Sequence, residues 1–192
     1  MKKIIYKAED MHGIRHPAQA MVNTTYHYAA LAHKGVLRKY TGEEYITHPV
    51  AVARIVRSVT EDLDTILAAI LHDVIEDTDI TEEDLVKFGF SIETVRIVQE
   101  VTNIPKKEDS PRKLRKAMDK ARLSLISDEG QTVKLADIIH NLSTIHLAPD
   151  KWAKMYLAEK KALLPVLIGG DETLMKKAVA LVGEWESAYA VL

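Results

Sequence analysis

The stretch Leu67-Ala68-Ala69-Ile70-Leu71-His72-Asp73-Val74-Ile75-Glu76-Asp77-Thr78 decides how this chain is read. It opens as an apolar run of good helix formers and contains neither Gly nor Pro, so the expectation is one continuous helix. At a helical pitch His72 and Glu76 share a face, as do Asp73 and Asp77, and all four lie within an arc of about 140°. A helix that is apolar nearly all round belongs in a core. Three carboxylates buried side by side there cost several kcal/mol per uncompensated charge, on the order of a failed fold, unless a cation joins them. A divalent ion held by His72 and Asp73, with Glu76 and Asp77 left for proton transfer, resolves the conflict. The bland alternative is a helix that surfaces at His72 and ends in an ordinary charged turn.

Working outward, the flanks read as further helices. Pro17 starts one whose stripe of Met21, Thr25, Tyr28, Ala29 and Ala32 runs up to Gly35. A polar loop over 38–45 turns at Gly42, and His48-Pro49 opens the next helix, with Val50, Ala53, Ile55 and Val56 inward. Asp62 or Asp64 caps the central helix. Thr81-Glu82-Glu83-Asp84 forms a capping box ahead of a short helix stopped by Gly89, and Ser91 begins another with Val95, Val98 and Val101 inward. Ser110-Pro111 starts a basic helix running to about Ile126, and Asp128-Glu129-Gly130 leads into the apolar stretch 132–142. Pro149 opens a long helix to about Ile168, Gly169-Gly170 breaks it, and Asp171 caps a last helix over about 171–190 with Trp185 and Tyr189 inward. Residues 1–16 are unpatterned and read as an arm or a short lead-in. No segment alternates with period two. The fold class is all-α, a helical bundle in a single domain over 1–192.

Composition narrows the chemistry. The 192 residues are 47% hydrophobic and 28% charged, ordinary for a globular chain. Cysteine is absent, so a metal site must use His and carboxylate. No apolar run reaches the ~18 residues of a membrane span and no signal peptide opens the chain, so a cytoplasmic location is expected. The net charge of −2 gives no general pull toward nucleic acid. It is unevenly spread, however: 105–122 carries eight Lys/Arg against three acids, and 76–84 carries six acids and no base. That polarity suits a polyanionic small molecule meeting a metal.

Asp137 repeats the anomaly of the central helix, an acid following Val133, Leu135 and Ala136, with Asn141 one turn on and Thr144 continuing the line. His48, His72, Asp73 and Asp137 together would give two nitrogens and two oxygens from three helices, a set that suits Mn²⁺, Fe²⁺ or Zn²⁺. Spacing alone does not bring the three helices together.

The pieces Ala32-His33-Lys34-Gly35 with Arg38-Lys39, Tyr45-Ile46-Thr47-His48-Pro49, His72-Asp73-Val74-Ile75-Glu76-Asp77-Thr78, Arg115-Lys116, and Val133-Lys134-Leu135-Ala136-Asp137 with Asn141-Leu142 resemble, in order and separation, the HD-domain metal-dependent phosphohydrolases. The resemblance is closest to the alarmone hydrolases of the Rel/SpoT type and their small free-standing relatives, and covers roughly residues 20–168. It implies an HD-type bundle and one Mn²⁺ on His48, His72, Asp73 and Asp137, with Fe²⁺ or Zn²⁺ as lesser alternatives. Glu76 and Asp77 fall on the family's catalytic acidic pair. Arg38 and Lys39 fall on the loop that contacts the base, Asn141 and Thr144 near ribose and phosphates, and Arg112 on a basic residue that reaches the phosphates. The other cations of the basic helix read as a solvated face. The loop between Lys39 and Tyr45 is a residue shorter than in the animal enzymes, and the segment 117–130 differs from the long Rel/SpoT enzymes.

The implied activity is removal of the 3′-pyrophosphate from (p)ppGpp or a (p)ppApp-type nucleotide. The implied partner is that small molecule, with no nucleic acid and no membrane, and the sequence leaves the oligomeric state open. With no room for a synthetase or regulatory domain, a hydrolase-only protein is expected. The other readings are a different HD-family nucleotide phosphatase or phosphodiesterase, and a catalytically silent nucleotide-binding sensor.

Overall fold

The structure is a computed structural model that describes residues 17–103 and 111–190. The expected arm at 1–16 and the Ser110 start of the basic helix lie outside the described residues. Apart from an isolated bridge between Leu37 and Glu44, every regular element among the described residues is helical.

Helix α1 (Pro17–Ala32) places Pro17 in its first turn, where its missing N–H satisfies nothing and costs nothing, and buries Thr25 and Ala29. The chain then makes a closed loop. Tyr45 N–H donates to Val36 O at 2.9 Å and Arg38 N–H to Glu43 O at 2.8 Å, so both ends of the loop are pinned. Gly42 sits at its tip with φ +71°, a conformation that favours glycine. Helix α2 (Thr47–Arg57) carries His48-Pro49 in its first turn and buries Val52, Ala53 and Val56.

Helix α3 (Leu63–Leu71) is the centre of the bundle. Asp62 caps it, accepting from Thr65 N–H at 2.8 Å, and every residue from Thr65 to Leu71 is buried. It packs against α1, α2, α6 (Ile92–Val101) and α8 (Asp128–Ser143), which explains why no side of it is polar. The expected continuous helix does not form. α3 ends at Leu71, Asp73 sits at φ −101° and ψ −4°, and a separate single turn, α4 (Val74–Asp77), follows.

Helix α5 (Glu82–Phe88) has the Thr81/Asp84 capping box and stops at Gly89 in the left-handed region, and Ser91 caps α6. The basic helix α7 (Arg112–Leu123) ends three residues sooner than expected. Asp128 and Glu129, read as a lead-in, are instead the first turn of α8, because Ser127 accepts from Gly130 N–H and caps it. α8 is buried at eleven positions from Gly130 to Leu142, including the polar Gln131, Thr132, Lys134 and Asp137. Helix α9 (Asp150–Leu163) is shorter than expected: Pro165 cannot donate into an α-helical ladder, and Leu164–Val166 form a 3₁₀ turn. Gly169 N–H donates to Gln131 Oε1 and Asp171 N–H to Thr132 Oγ1, fastening this turn onto α8. Gly170 is needed there, since a Cβ would come within 2.7 Å of a Leu135 methyl and 3.1 Å of the Gln131 backbone. Asp171 then caps α10 (Glu172–Ala190), which turns Tyr189 into the core. None of the described helices is long and apolar enough to cross a membrane.

Candidate active site

His48 comes from the first turn of α2, His72 and Asp73 from the break between α3 and α4, and Asp137 from the middle of α8. The three helices converge. One ligand atom each from His48, His72 and Asp73 lies within 4.8 Å of the others. Asp137 Oδ1 joins them, 3.3 Å from His48 Nε2 and 4.0 Å from His72 Nε2.

The protons of both imidazoles are fixed by their surroundings. His72 Nδ1 lies 2.9 Å from Ala69 O, which can only accept, so Nδ1 carries a hydrogen. Its Nε2 is buried and makes no hydrogen bond, though Asp73 Oδ2 is 3.1 Å away. A buried nitrogen that makes no hydrogen bond and is aimed at two carboxylates is the arrangement of a metal ligand. His48 Nδ1 meets His140 Nδ1 at 2.7 Å, leaving His48 Nε2 to face Asp73 and Asp137.

The carboxylates are held as anions. Tyr45 donates its hydroxyl to Asp73 Oδ2 at 2.7 Å. Asn141 donates to Asp137 Oδ1 at 2.5 Å, and the Lys134 ammonium stands 3.0 Å from Asp137 Oδ2. Burial would raise both acids, but the imidazoles beside Asp73 and the ammonium beside Asp137 hold each well below the usual carboxylate range. Burial lowers His48 and outweighs the nearby acids, keeping it neutral. His72 is also penalised by burial, yet Asp73 overrides that and raises it to about 9. Two anionic oxygens and two imidazole nitrogens at this spacing fit a divalent ion.

The helix break changes the acidic pair. Glu76 is exposed and accepts from Asn103, from the backbone N–H at 3.2 Å and from Nδ2 at 2.9 and 2.8 Å. Asp77 is also exposed, yet its carboxyl lies close enough to Asp73 and Tyr45 that partial burial first and then the Asp73 charge push it up.

Arg38, Lys39, Asn141 and Thr144 line one cavity of about 320 Å³, together with Tyr40, Trp152 and Tyr156. Its walls are aromatic: Tyr40 and Trp152 rings lie 5.5 Å apart and Trp152 and Tyr156 stack at 5.0 Å. Arg38 donates to Asn141 Oδ1 at 3.2 Å, linking this cavity to Asp137. Arg112 is elsewhere, at the start of α7, forked onto Glu159 with bonds of 2.7 and 3.0 Å. It lines a second cavity of about 720 Å³ between α7 and α9. Lys134, His140 and Tyr156 also border the centre, and Asn103 holds Glu76; none of the four is among the expected site residues. Lys134 carried a signal, a cation three residues before Asp137 on one face; the others did not.

The family described as HD domain matches residues 25–163. The chain is 41% identical over 140 residues to the guanosine-3′,5′-bis(diphosphate) 3′-pyrophosphohydrolase of Vibrio cholerae, a match covering 70% of this chain and 19% of that protein. It thus spans about a fifth of the length of that long relative. It is 35% identical over 147 residues to the guanosine-3′,5′-bis(diphosphate) 3′-pyrophosphohydrolase MESH1 of Danio rerio, covering 73% of this chain and 78% of that one. A solved structure described as a metazoan ortholog of SpoT that hydrolyses ppGpp superposes with a TM-score of 0.77 at 26% identity, covering 86% of this chain and 95% of its own. Sequence, fold and the converging His-Asp cluster agree: the chain belongs to the HD domain family.

Proposed function

We propose that this chain is a metal-dependent phosphohydrolase that removes the 3′-diphosphate from a purine nucleoside 3′,5′-bis(diphosphate) such as ppGpp or ppApp, as one domain. The observation that carries this reading is the placement of Asp137. One of its oxygens bonds Asn141, which lines the aromatic cavity, and the other pairs with Lys134, which lines the cationic one. A ligand with a flat base at one end and phosphates at the other can span the cluster between them. The names of the Vibrio and Danio relatives support the same substrate class.

In this reading His48, His72, Asp73 and Asp137 hold one Mn²⁺, with Fe²⁺ or Zn²⁺ as weaker alternatives. Such an ion supplies an acidified water and a Lewis acid for a phosphoryl oxygen. Tyr45 and Lys134 keep Asp73 and Asp137 ionised and oriented. Asp77, with its carboxyl pushed up by burial and Asp73, is suited to hold a proton and release it to the departing 3′ oxygen. Glu76, oriented by Asn103, takes a proton from the attacking water. Arg38 and Lys39 face the base, the former by stacking its planar guanidinium, and Asn141 and Thr144 face the ribose and its phosphates.

Incubating the protein with ppGpp and with ppApp, each with Mn²⁺, tests the reading. The expected products are pyrophosphate and the nucleoside 5′-diphosphate. Orthophosphate alone from the 3′ end would move the chain to the phosphatases, and binding without turnover would make it a sensor.

A further inference from the structure

The basic helix α7 is not simply a solvated face. Lys113, Lys116 and Lys120 line the 720 Å³ cavity together with Arg112, Lys134 and Lys160, and among the described residues the carboxylates that line it are Asp119 and Glu159. Three of these six cations are already neutralised: Arg112 by Glu159, Lys116 by Asp119 at 3.2 Å, and Lys134 by Asp137 at 3.0 Å. Lys160 differs from all three. It projects from α9, is half-buried, and has no carboxylate at ion-pair distance among the described residues; its ammonium lies 4.7 Å from the Tyr156 ring. Burial, and then the Lys134 charge beside it, lower its ammonium to about 8. A chamber with this excess of positive charge is completed by an anion.

Its position says which anion. Lys134 belongs to this chamber and to Asp137, Asn103 belongs to it and to Glu76, and Tyr156 stands between Lys160 and the aromatic cavity. A nucleotide seated by its base in the aromatic cavity, with its 3′ phosphorus at the cluster, directs the next phosphate of the 3′ chain into the chamber. We infer that the chamber between α7 and α9 receives the terminal phosphate of the 3′-diphosphate, and afterwards the pyrophosphate product, and that Lys160 is the residue that binds it. This rests on the substrate reading above and adds a discrimination to it: a 3′-diphosphate is selected over a 3′-monophosphate by Lys160. Hydrolysis forms one water oxygen–phosphorus bond and breaks the bond to the 3′ oxygen, which takes the proton. The departing pyrophosphate carries its full charge, and the chamber supplies the compensation.

The test compares the unaltered chain with Lys160→Met and Lys160→Arg. On the 3′-diphosphate substrate ppGpp, Lys160→Met should lower kcat/KM about 10-fold or more, the scale of one charge-assisted hydrogen bond. It should raise the inhibition constant of pyrophosphate by a similar factor. On the 3′-monophosphate analogue the change should stay within about 2-fold, since no terminal phosphate is present to lose its partner. Lys160→Arg should restore both values, which a folding defect would not allow. Equal losses on the two substrates, or an unchanged pyrophosphate constant, would overturn the inference. Equilibrium dialysis with labelled pyrophosphate separates this from the substrate reading. If the unaltered chain hydrolyses neither nucleotide, the substrate reading fails, while pyrophosphate retention that depends on Lys160 still upholds the chamber and retention that ignores Lys160 still sinks it.

Discussion

His48 Nδ1 and His140 Nδ1 lie 2.7 Å apart, so one of the two nitrogens donates and the other accepts. His140 is neutral, with burial first and then His48 and Arg38 lowering it to about 4. When His48 Nε2, turned toward Asp73 and Asp137, ligates a cation, the hydrogen between the rings belongs to His48, and His140 accepts it. His140 therefore fixes the tautomer and the ring plane of a residue that faces the cluster. Replacing His140 by Phe keeps a ring but removes the acceptor, and should weaken metal retention by about 10–100-fold, the usual cost of a lost partner behind a ligand. Dialysis against a graded chelator series measures it. Retention equal to that of the unaltered chain would show that His48 needs no such partner.

Asp73→Ala and Asp137→Ala should each lower metal content and abolish turnover, because each removes an anionic oxygen that offsets the ion's dehydration. Asp137→Ala also strands the Lys134 ammonium, which is 8% exposed, so a loss of folding stability should accompany it. Metal content is read directly by elemental analysis. Full metal with full activity in either variant would break the four-residue site.

Glu76→Gln preserves shape and, since Asn103 can still meet the amide oxygen, should preserve position as well as metal. Its kcat should fall about 100-fold or more, the scale of a lost general acid or base. Normal kcat would leave proton transfer to Asp77 alone.

Metal uptake should release a proton. Asp73 raises His72 to about 9 in the metal-free protein, so near pH 7.5 its Nε2 is protonated, while ligation needs it bare. The sign follows: affinity rises with pH up to about 9 and falls below it, by about tenfold per unit for one displaced proton. Titration calorimetry in buffers of differing ionisation enthalpy counts the protons. The expectation is about one per ion from His72; no release would show that Asp73 leaves this nitrogen free.

The caps were the most legible part of this fold. Asp62, Ser91, the Thr81/Asp84 box and Asp171 are local, each side chain accepting from a backbone N–H a few residues on, and each stands where its residue type predicts. The break after Leu71 was not legible, because nothing in Leu67–Thr78 opposes a helix. It accompanies contacts made from far away in sequence: Tyr45 takes up the Asp73 carboxylate, and Asn103 draws Glu76 outward. The cluster of His48, His72, Asp73 and Asp137 could be named from the residues and from resemblance, yet its convergence depends on α2, α3 and α8 packing together. Lys160 escaped notice because a lysine on a helix reads as solvated; only the approach of α7 to α9 puts it beside other cations.

The central claim is hydrolysis at the phosphorus of the 3′ phosphoester. Turnover of ppGpp in ¹⁸O-water, with both products read by mass spectrometry, addresses it most directly. Attack at phosphorus, where the proposed reading has Lys134, 3.0 Å from Asp137, and the cluster gather the phosphoryl oxygens, places the new oxygen in the pyrophosphate. The account predicts labelled pyrophosphate and an unlabelled nucleoside 5′-diphosphate; label on the 3′ hydroxyl of the nucleotide would mean carbon–oxygen cleavage and contradict it.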